Sequence, residues 1–339
     1  MSTGAVGTRR GEPARAGTGR ARGVIASRRS LATLGAYVGT RARFAALWRF
    51  AHVVALPIRA RVAAVSLAGA TLVAGALVPG TPVHAADGTG RQALTTNRLK
   101  VCADPANLPF SNEALEGFEN RIVELVAEEL GLEPRYTWYP QTTGFVRRTL
   151  RVRQCDLISG ITTTSELVQN TNPYYHSVYT MVYRADSGLE ATRMGDPALA
   201  DRTLGVVAGT PPADVLAGLG LMGRVRPYQL VTDTRRERPA ERALEDVASG
   251  EIDAAFVWGP IAGHFAKTHP EAELAIVPLL EEDRRVRMNY HVSMAVRYNE
   301  TEWKRTVNRA LEANAEAIEA ILRDYGVPLL NERGEPLAN

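Results

Sequence analysis

Side chains able to bind a ligand follow several predicted strands at the points where those strands end. Three consecutive threonines come after the apolar segment 157–158, Thr210 follows the strand 203–207, and Trp258 follows the strand 252–257. Since ligands of open α/β sheets bind beyond the carboxyl ends of the strands, this arrangement predicts a site for a polar or aromatic ligand. The candidate residues are Asp104, Phe110, Thr162, Thr163, Thr164, Tyr174, Thr210 and Trp258.

The hydroxyl groups leave two interpretations open. The three threonines either contact a ligand or supply the cap of the helix that is predicted to follow them. Thr210 stands before another predicted helix, whose free amides would attract an anion, but Pro211 and Pro212 each remove one amide donor. The Thr210 hydroxyl therefore either reaches a ligand or caps the amide of Ala213.

Aromatic side chains offer a second kind of contact. Trp258 comes directly after a strand and is expected in the ligand site, whereas Tyr174 suits its wet edge because its ring carries a hydroxyl. Arg147 and Arg148 follow a further strand, where solvated helix charges are favoured over contact with an anion.

The sequence signatures of catalysis are absent. The chain contains no GxSxG, no HExxH and no phosphate-binding loop, and its histidines have no cysteine or aspartate at ligand spacing. The spacing of an EF-hand is also missing. These absences favour a binding protein that is not an enzyme and uses no metal or cofactor.

The amino-terminal region predicts export. Residues 62–78 form an apolar, uncharged run that follows Arg59 and Arg61 and precedes a Pro- and Gly-rich segment and a small-residue cleavage site. This pattern predicts a signal peptide over about 59–85, cleaved near Ala85, and a periplasmic protein without a membrane anchor. A single membrane anchor is the alternative, because the run reaches the lower limit of a span.

Residues 1–58 are rich in arginine, glycine and alanine, which is typical of a disordered segment. A translation start assigned too far upstream, a twin-arginine export box at 27–31 and a nucleic-acid-binding arm are the alternatives. The export signal that follows argues against nucleic acid. Twelve of the chain's 40 basic residues but one of its 37 acidic residues lie in 1–85, so residues 86–339 carry a net charge of about −8.

The rest of the chain alternates strands and helices, which predicts an α/β fold with parallel strands and right-handed crossovers. One lobe covers 99–185 and 290–330, and the other covers 190–286. The chain would cross between them near 183–186 and near 287–290, which predicts two α/β lobes with a two-crossover hinge and a central cleft. The final helix is predicted to start at Thr301, as its N-cap, and to reach Tyr325.

Cys102 and Cys155 are the two cysteines of the chain. An even pair in an exported protein predicts a disulfide, and the strands that hold them would be neighbours in this fold. Closing that loop would stabilise the protein by roughly 4 kcal/mol. A redox or metal-binding pair is the alternative, but the CxxC spacing is absent.

The order of these motifs resembles that of the type II periplasmic binding proteins. More closely, the chain resembles the MxaJ/XoxJ proteins, which are periplasmic binding-protein-like accessory proteins associated with quinoprotein methanol dehydrogenases. The segments that carry this likeness are VCADPANLPFSN (101–112), GFENRI (117–122), TWYPQ (137–141), GFVRRTL (144–150), CDLISG (155–160), AGTPPAD (208–214), RVRPYQL (224–230), SGEIDAAFVWGPIAGHFAK (249–267) and YGVPLL (325–330).

Two departures from the wider fold bear on the ligand. Amino-acid-binding members carry an arginine after the threonine run, which grips the ligand carboxylate, whereas this chain has Leu167. They also carry an acid after the second-lobe strand, where this chain has Trp258 and Gly259. Both replacements argue against a free amino acid. Glu119 stands where the wider fold often has aspartate, and no role is assigned to it.

The resemblance implies an accessory protein that binds or helps mature a PQQ-dependent alcohol dehydrogenase in the periplasm. A basic cytochrome c is a further partner that the acidic mature chain would suit. The alternative is the solute receptor of an ABC importer, with an aromatic or quinone-like ligand suited to Trp258 and Tyr174. A neighbouring dehydrogenase gene would favour the first function, and neighbouring permease and ATPase genes the second.

Overall fold

The computed structural model describes residues 88–230, 232–280 and 285–337. The predictions for residues 1–85, including the signal peptide and its cleavage near Ala85, lie outside these ranges. Within the described ranges, every helix is too short or too polar to span a bilayer.

Helices and strands alternate along most of the described chain. The helices are α1 (Gly88–Thr96), α2 (Phe118–Glu129), α3 (Phe145–Arg148), α4 (Pro211–Gly218), α5 (Pro239–Ala248), α6 (Gly259–Thr268), α7 (Thr301–Ala313) and α8 (Ala315–Asp324). The strands are β1 (Arg98–Ala103), β2 (Ala106–Asn107), β3 (Ser111–Asn112), β4 (Glu133–Trp138), β5 (Leu157–Thr162), β6 (Gln169–Arg184), β7 (Leu204–Val207), β8 (Val225–Tyr228), β9 (Ala254–Trp258), β10 (Leu274–Pro278) and β11 (Asn289–Val296).

The first lobe is built on strands in the order β4-β1-β5-β11-β6. β1 pairs in parallel with β4 and β5, while β11 runs antiparallel to β5 and β6. Leu99, Val101 and Leu157 are fully buried and belong to one apolar cluster with residues of α2, α7 and α8. Parallel strands therefore end at a common edge, where the loops after β1 and β5 meet.

The second lobe uses the rest of the same sheet. β9, β7 and β8 follow β6 in that order, β7 is parallel to both of its neighbours, and β10 pairs with β6. Apolar residues of α5 and α6 pack in one cluster, and those of α4 and of the segment 189–199 pack in another. Both clusters draw on β6 and β9, so these strands are buried by helices and by the segment before β7.

The strand β6 passes from one lobe to the other within its 16 residues. It pairs with β11 as far as Val178 and with β9 from Tyr179 onward. The first crossing therefore lies before the position predicted near 183–186, because the strand continues without a break into the second lobe. β11 begins at Asn289, inside the segment 287–290 that was predicted for the return.

Three predicted helices differ from those observed. The segment 163–168 forms turns instead of the helix expected after the threonines, since the few residues between β5 and β6 cannot offset the cost of helix nucleation. The helix expected over 144–153 ends as α3 at Arg148 and continues as a short 3-10 turn. The final helix is interrupted at Asn314, in keeping with the low helix propensity of asparagine. Its N-cap is Glu300 rather than Thr301.

A disulfide joins Cys102 in β1 to Cys155 just before β5, with 5.5 Å between their Cα atoms. The buried guanidinium of Arg297 donates to the carbonyl oxygen of Cys155, to Asp156 Oδ1 at 3.3 Å and to Glu300 Oε1 at 2.8 Å. A buried charge is tolerated when it is paired and hydrogen-bonded in this way. The covalent bond and the ion pairs together fix the chain that leads into β5 and therefore into the cleft.

The segment that follows α8 packs against α6 of the second lobe. A Cβ atom on Gly263 would lie 1.8 Å from Gly326 O, so only glycine permits this approach. Lys267 Nζ donates at 2.8 Å to the carbonyl oxygen of Asp324 at the end of α8, where a cation suits the helix dipole. These contacts of Gly263 and Lys267 with 323–326, here called the clasp, join the lobes away from the cleft.

Candidate functional site

Two adjoining cavities lie between the lobes. The larger has a volume of about 600 Å³ and is lined by Asn107, Phe110, the start of α2, the segment 141–147, the end of β5 and the residue that ends β9. The smaller has a volume of about 210 Å³ and extends toward residues 229–230 and 232–238 and the start of α5 in the second lobe. Their combined size is typical of sites for small ligands or for a few side chains of a partner.

Four of the residues predicted from the sequence line these cavities. Phe110 and Thr162 border the larger cavity, Thr210 borders the smaller one, and Trp258 borders both. They come from the two lobes, so the cleft brings together residues that are far apart in the chain. Their roles as ligand contacts stay predictions.

Trp258 is held at the boundary between the lobes. Its ring meets the edges or faces of Tyr179 and Tyr290, at centroid distances of 5.1 Å and 6.0 Å. The next residue is Gly259, the first of α6, where a Cβ atom would lie 2.4 Å from Val178 O. The close approach of α6 to β6 thus fixes the backbone from which the indole projects.

Asp104 borders neither cavity and is fully buried. Its Oδ1 accepts from the amide of Ala106 at 3.0 Å and from the hydroxyl of Thr234 at 2.6 Å, and its Oδ2 accepts from the amide of Gln141 at 2.6 Å. Thr234 belongs to the second lobe. The structure therefore uses Asp104 to connect three segments around the cleft.

The other threonines of the run do not border the two cavities. The hydroxyls of Thr162 and Thr164 lie 3.1 Å apart, and Asn170 Nδ2 donates to the carbonyl oxygens of Thr163 and Ser165, both at 3.2 Å. Because turns replace the predicted helix here, the interpretation of these threonines as a helix cap is wrong. They stabilise a tight turn at the cleft wall.

Two further hydroxyl groups serve the backbone. Thr210 Oγ1 donates to Val207 O at 2.6 Å. The amide of Ala213 donates to the carbonyl oxygen of Thr210 at 2.9 Å, so the expected cap of this amide by the Thr210 hydroxyl is not formed. The Tyr174 hydroxyl donates at 3.0 Å to the carbonyl oxygen of Ser159, and the residue borders a separate cavity of about 760 Å³ beside α7 and α8.

Glu119 borders the larger cavity, although no role was assigned to it from the sequence. The residue is 4% exposed, and Ser159 Oγ donates to its Oε2 at 2.6 Å. A Cβ atom on Gly160 would lie 1.8 Å from Oε1, so the carboxyl occupies space that this glycine leaves free. Burial raises the pKa of Glu119 to about 7; the Ser159 hydrogen bond opposes this rise, and the charge of Asp104 adds to it.

The start of α2 positions this carboxyl group. Gly117 is the N-cap, and a Cβ atom there would lie 2.1 Å from Phe110 O. The amide of Glu119 donates to the same carbonyl oxygen at 2.9 Å. The helix therefore begins against the loop that carries Phe110, which directs the side chain of Glu119 toward the end of β5.

Two more lining residues were not among the predicted contacts. Leu167 is 56% exposed and borders the larger cavity in the place of the arginine discussed above. Arg147 also borders this cavity, and its side chain is exposed to solvent. A helix-end arginine and an exposed leucine carry no distinctive sequence signal, because either type is common on a protein surface.

The arrangement is suited to binding. In the described ranges, no group of three or more His, Cys, Asp or Glu side chains is placed to hold a metal ion. Ser159 is 1% exposed, so its hydroxyl is not accessible to a substrate. The cleft offers aromatic and apolar surface, a few hydroxyls and one buried carboxyl group.

Comparisons with known sequences agree over most of the described chain. Residues 99–327 match the bacterial extracellular solute-binding proteins, family 3. Protein MoxJ of Methylorubrum extorquens AM1 is 30% identical over 247 residues, which cover 68% of this chain and 81% of that protein. Protein MoxJ of Paracoccus denitrificans is 28% identical over 255 residues, which cover 70% of this chain and 91% of that protein.

Solved structures give the same picture. The periplasmic binding protein XoxJ from Methylobacterium extorquens AM1 is 42% identical, with a TM-score of 0.59, and the match covers 69% of this chain and 100% of that one. MxaJ from Methlophaga aminisulfidivorans MPT is 29% identical, with a TM-score of 0.60, and the match covers 68% of this chain and 100% of that one. An ancestral cationic amino acid solute-binding protein, 18% identical with a TM-score of 0.56, shares the fold alone.

Proposed function

Because this chain belongs to the MxaJ/XoxJ family, within the bacterial extracellular solute-binding proteins, family 3, we propose that it is an accessory protein that binds or helps mature a PQQ-dependent alcohol dehydrogenase. Its two α/β lobes and central cleft form the type II periplasmic binding protein fold that the sequence predicted. In this proposal the cleft receives a segment of the dehydrogenase.

The observation that carries the proposal is the exposure of Leu167 at the larger cavity. Amino-acid-binding members of the fold hold the ligand carboxylate with an arginine at this place. A leucine supplies neither charge nor hydrogen bonds, so a free amino acid would lack its main anchor. An exposed apolar side chain at the rim of a cleft is better suited to contact with another protein.

The proposed compartment is the periplasm, with the signal peptide removed near Ala85 and no membrane anchor left. Membership of an extracellular solute-binding family supports export. The net charge of about −8 on residues 86–339 supports a basic partner, and we include a cytochrome c beside the dehydrogenase. No catalytic activity and no nucleic-acid partner are proposed for the chain itself.

The test is direct binding of the exported chain to the purified PQQ-dependent dehydrogenase of the same cell. We expect a complex by biolayer interferometry, and weaker binding when Trp258→Ala removes the aromatic surface shared by both cavities. Trp138→Ala is the matched control, because this tryptophan stacks on Tyr136 and borders neither cavity. Absence of a complex with the wild-type chain would exclude the accessory role.

A second candidate is the solute receptor of an ABC importer. The aromatic rings of Phe110, Tyr175 and Trp258 around a cavity of about 600 Å³ favour it, since they suit an aromatic or quinone-like ligand. Native mass spectrometry of the protein purified from its own periplasm tests this candidate. A stoichiometric small molecule together with no dehydrogenase binding would establish it, and an empty cleft would exclude it.

A further inference from the structure

A short segment of the first lobe carries four exposed arginines. Arg147, Arg148, Arg151 and Arg153 lie on α3, on the 3-10 turn after it or at the end of that turn, and their side chains are exposed to solvent. Residues 144–154 contain no acidic residue, whereas residues 86–339 as a whole carry a net charge of about −8. The segment is therefore a basic patch on an acidic protein.

These charges are largely left without acidic partners. In the described ranges, no carboxylate forms a salt bridge with the first three of the four arginines. Arg153 lies 3.7 Å from Glu300 Oε1, which already accepts from Arg297 at 2.8 Å. Other exposed arginines of the first lobe are neutralised, as Arg121 is by Asp324 at 2.7 Å. Positive charges that are not neutralised produce a local potential that attracts an anionic partner.

Neighbouring groups hold the arginines in place. The Arg148 guanidinium donates to the Tyr139 hydroxyl and lies 5.9 Å from the centroid of that ring. A Cβ atom on Gly144 would lie 3.7 Å from Arg148 Nε and 3.9 Å from Arg147 Nη2, so both guanidinium groups converge beside this glycine. Arg297 donates at 3.1 Å to a backbone carbonyl of the segment, and the disulfide follows the segment directly. A cation that is already held in place loses less conformational entropy when it binds a carboxylate.

Exposed apolar side chains adjoin the arginines. Val152, Leu167 and Tyr298 are each more than half exposed. The Tyr298 hydroxyl donates at 2.7 Å to the carbonyl oxygen of the residue before Leu167, and the contact of Arg153 with Glu300 brings the segment 298–300 next to 152–153. Exposed apolar side chains together with arginine and aromatic residues are typical of surfaces that contact another protein.

We propose that these seven residues form a docking surface, here called the arginine face, for an acidic segment of a partner protein. Carboxylates of that segment would pair with the arginines, which bind them in a bidentate way. An apolar side chain between the carboxylates would lie on Val152, Leu167 and Tyr298. The inference rests on the proposed accessory role and specifies the chemistry of the partner, since the dehydrogenase is the protein expected to carry the segment.

The arginine face lies mostly outside the cleft. Arg147 and Leu167 border the larger cavity, whereas the other five members border neither of the two interlobe cavities. The face is therefore a surface that begins at the rim of the cleft and extends away from it. A partner docked there would cover the outside of the first lobe, whatever occupies the cleft itself.

The sign of the charge gives the face a role in orientation. Because the mature chain is acidic overall, an acidic partner is repelled by the net charge and attracted at this face, which favours one orientation on encounter. A basic partner such as a cytochrome c would be directed to other parts of the surface. A membrane is less suitable than a protein, because the exposed carboxylate of Glu166 beside Leu167 would repel anionic headgroups.

The experiment measures binding of a model acidic segment to the exported chain by NMR titration. The probe is acetyl-Asp-Glu-Leu-Asp-Phe-Glu-amide, and its control is the amide analogue acetyl-Asn-Gln-Leu-Asn-Phe-Gln-amide. We expect the acidic peptide to bind about tenfold more tightly and to shift the backbone signals of residues 147–153, 167 and 298. Higher ionic strength should weaken this preference, because the charges concerned are exposed.

Matched variants localise the effect. Arg148→Gln combined with Arg151→Gln removes two charges from the face and should abolish most of the preference for the acidic peptide. Arg193→Gln combined with Arg309→Gln removes two exposed arginines that also form no salt bridge in the described part of the chain, and should leave the preference unchanged. Circular dichroism establishes that each variant is folded.

Three results would overturn the inference: equal binding of the acidic peptide and its amide analogue, an unchanged preference in the Arg148 and Arg151 double variant, or cosedimentation with phosphatidylglycerol vesicles in place of peptide binding. Failure of the proposed function looks different. A chain that binds the acidic peptide at the face but forms no complex with the dehydrogenase keeps the face and loses the accessory role. A complex that forms equally well with the double variant keeps the role and removes the face as its docking surface.

Discussion

The hydroxyl of Thr234 donates to Asp104 Oδ1 at 2.6 Å, although the two residues are 130 positions apart in the chain. Asp104 follows β1 in the first lobe, and Thr234 lies between β8 and α5 in the second. The carboxylate of Asp104 is also fixed by two amides of its own lobe. The Thr234 bond therefore joins the two lobes, and a movement that separates these two segments would break it.

Replacing Thr234 by valine removes this donor and preserves the shape of the side chain. We expect the free energy of unfolding to fall by about 1–2 kcal/mol, since a buried carboxylate loses one donor. We also expect a larger radius of gyration by small-angle X-ray scattering. Thr232→Val is the control, because its hydroxyl donates to Glu237 O within the same loop. Equal effects of the two variants would contradict a role for Thr234 in closure.

Replacing Glu119 by glutamine should change how stability depends on pH. The pKa of this carboxyl rises from 4.5 to about 7 on folding, so the native chain binds more protons than the unfolded chain between these values. Its contribution to stability is complete below pH 4.5 and is lost as the pH rises through about 7. The loss amounts to roughly 3 kcal/mol by pH 8.

Urea denaturation of wild type and Glu119→Gln at several pH values measures this loss. The difference between their free energies of unfolding should shift by roughly 3 kcal/mol from pH 4.5 to pH 8 in favour of the variant. Other titrating groups cancel in the difference. If the free energies of unfolding of the two proteins changed in parallel with pH, the carboxyl group of Glu119 would not be desolvated in the folded chain.

Replacing Gly263 by alanine tests the clasp. The new Cβ atom would lie 1.8 Å from Gly326 O, and overpacking of this kind costs about 1–3 kcal/mol. Gly218→Ala in α4 is a matched control, because nothing lies within 4 Å of its Cβ position and alanine favours a helix. Thermal unfolding should show a lower Tm for the first variant and an unchanged or higher one for the second. A Tm for Gly263→Ala that equals that of wild type would show that the clasp is loose.

Removing both cysteines tests the disulfide. Cys102→Ala with Cys155→Ala should lower the free energy of unfolding by roughly 4 kcal/mol, because the unfolded chain regains the entropy of a loop closed over a separation of 53 residues. Guanidinium denaturation of the variant and of the wild type, with and without reductant, measures this effect. The reductant should act on the wild type alone, and a response of the variant would point to another cause.

The order of the motifs across 99–330, including those around Gly160, Gly209 and Trp258, predicted the fold and the family, and both predictions are confirmed. They depend on the order of strands, glycines and turns, which the sequence displays directly. The helix expected after Thr164 is absent because β6 begins at Gln169, so the strand pairing overrides the local pattern.

The lining of the cleft was harder to predict. Asp104 follows β1 and Glu119 lies in the first turn of α2, yet Glu119 borders the larger cavity, whereas the carboxylate of Asp104 is enclosed by three donors. The difference comes from the start of α2 and from the space beside Gly160, which are relations between distant segments. Sequence spacing alone does not reveal which of the two residues borders the cavity.

The clasp also depends on the part of the chain that is synthesised late. Residues 323–326 follow every strand of both lobes, so they emerge after all parts of the cleft wall. Until they are synthesised, the contacts with Gly263 and Lys267 cannot form. The contacts that join α6 to the end of α8 therefore form only when synthesis of the chain is nearly finished, after both walls of the cleft have been made.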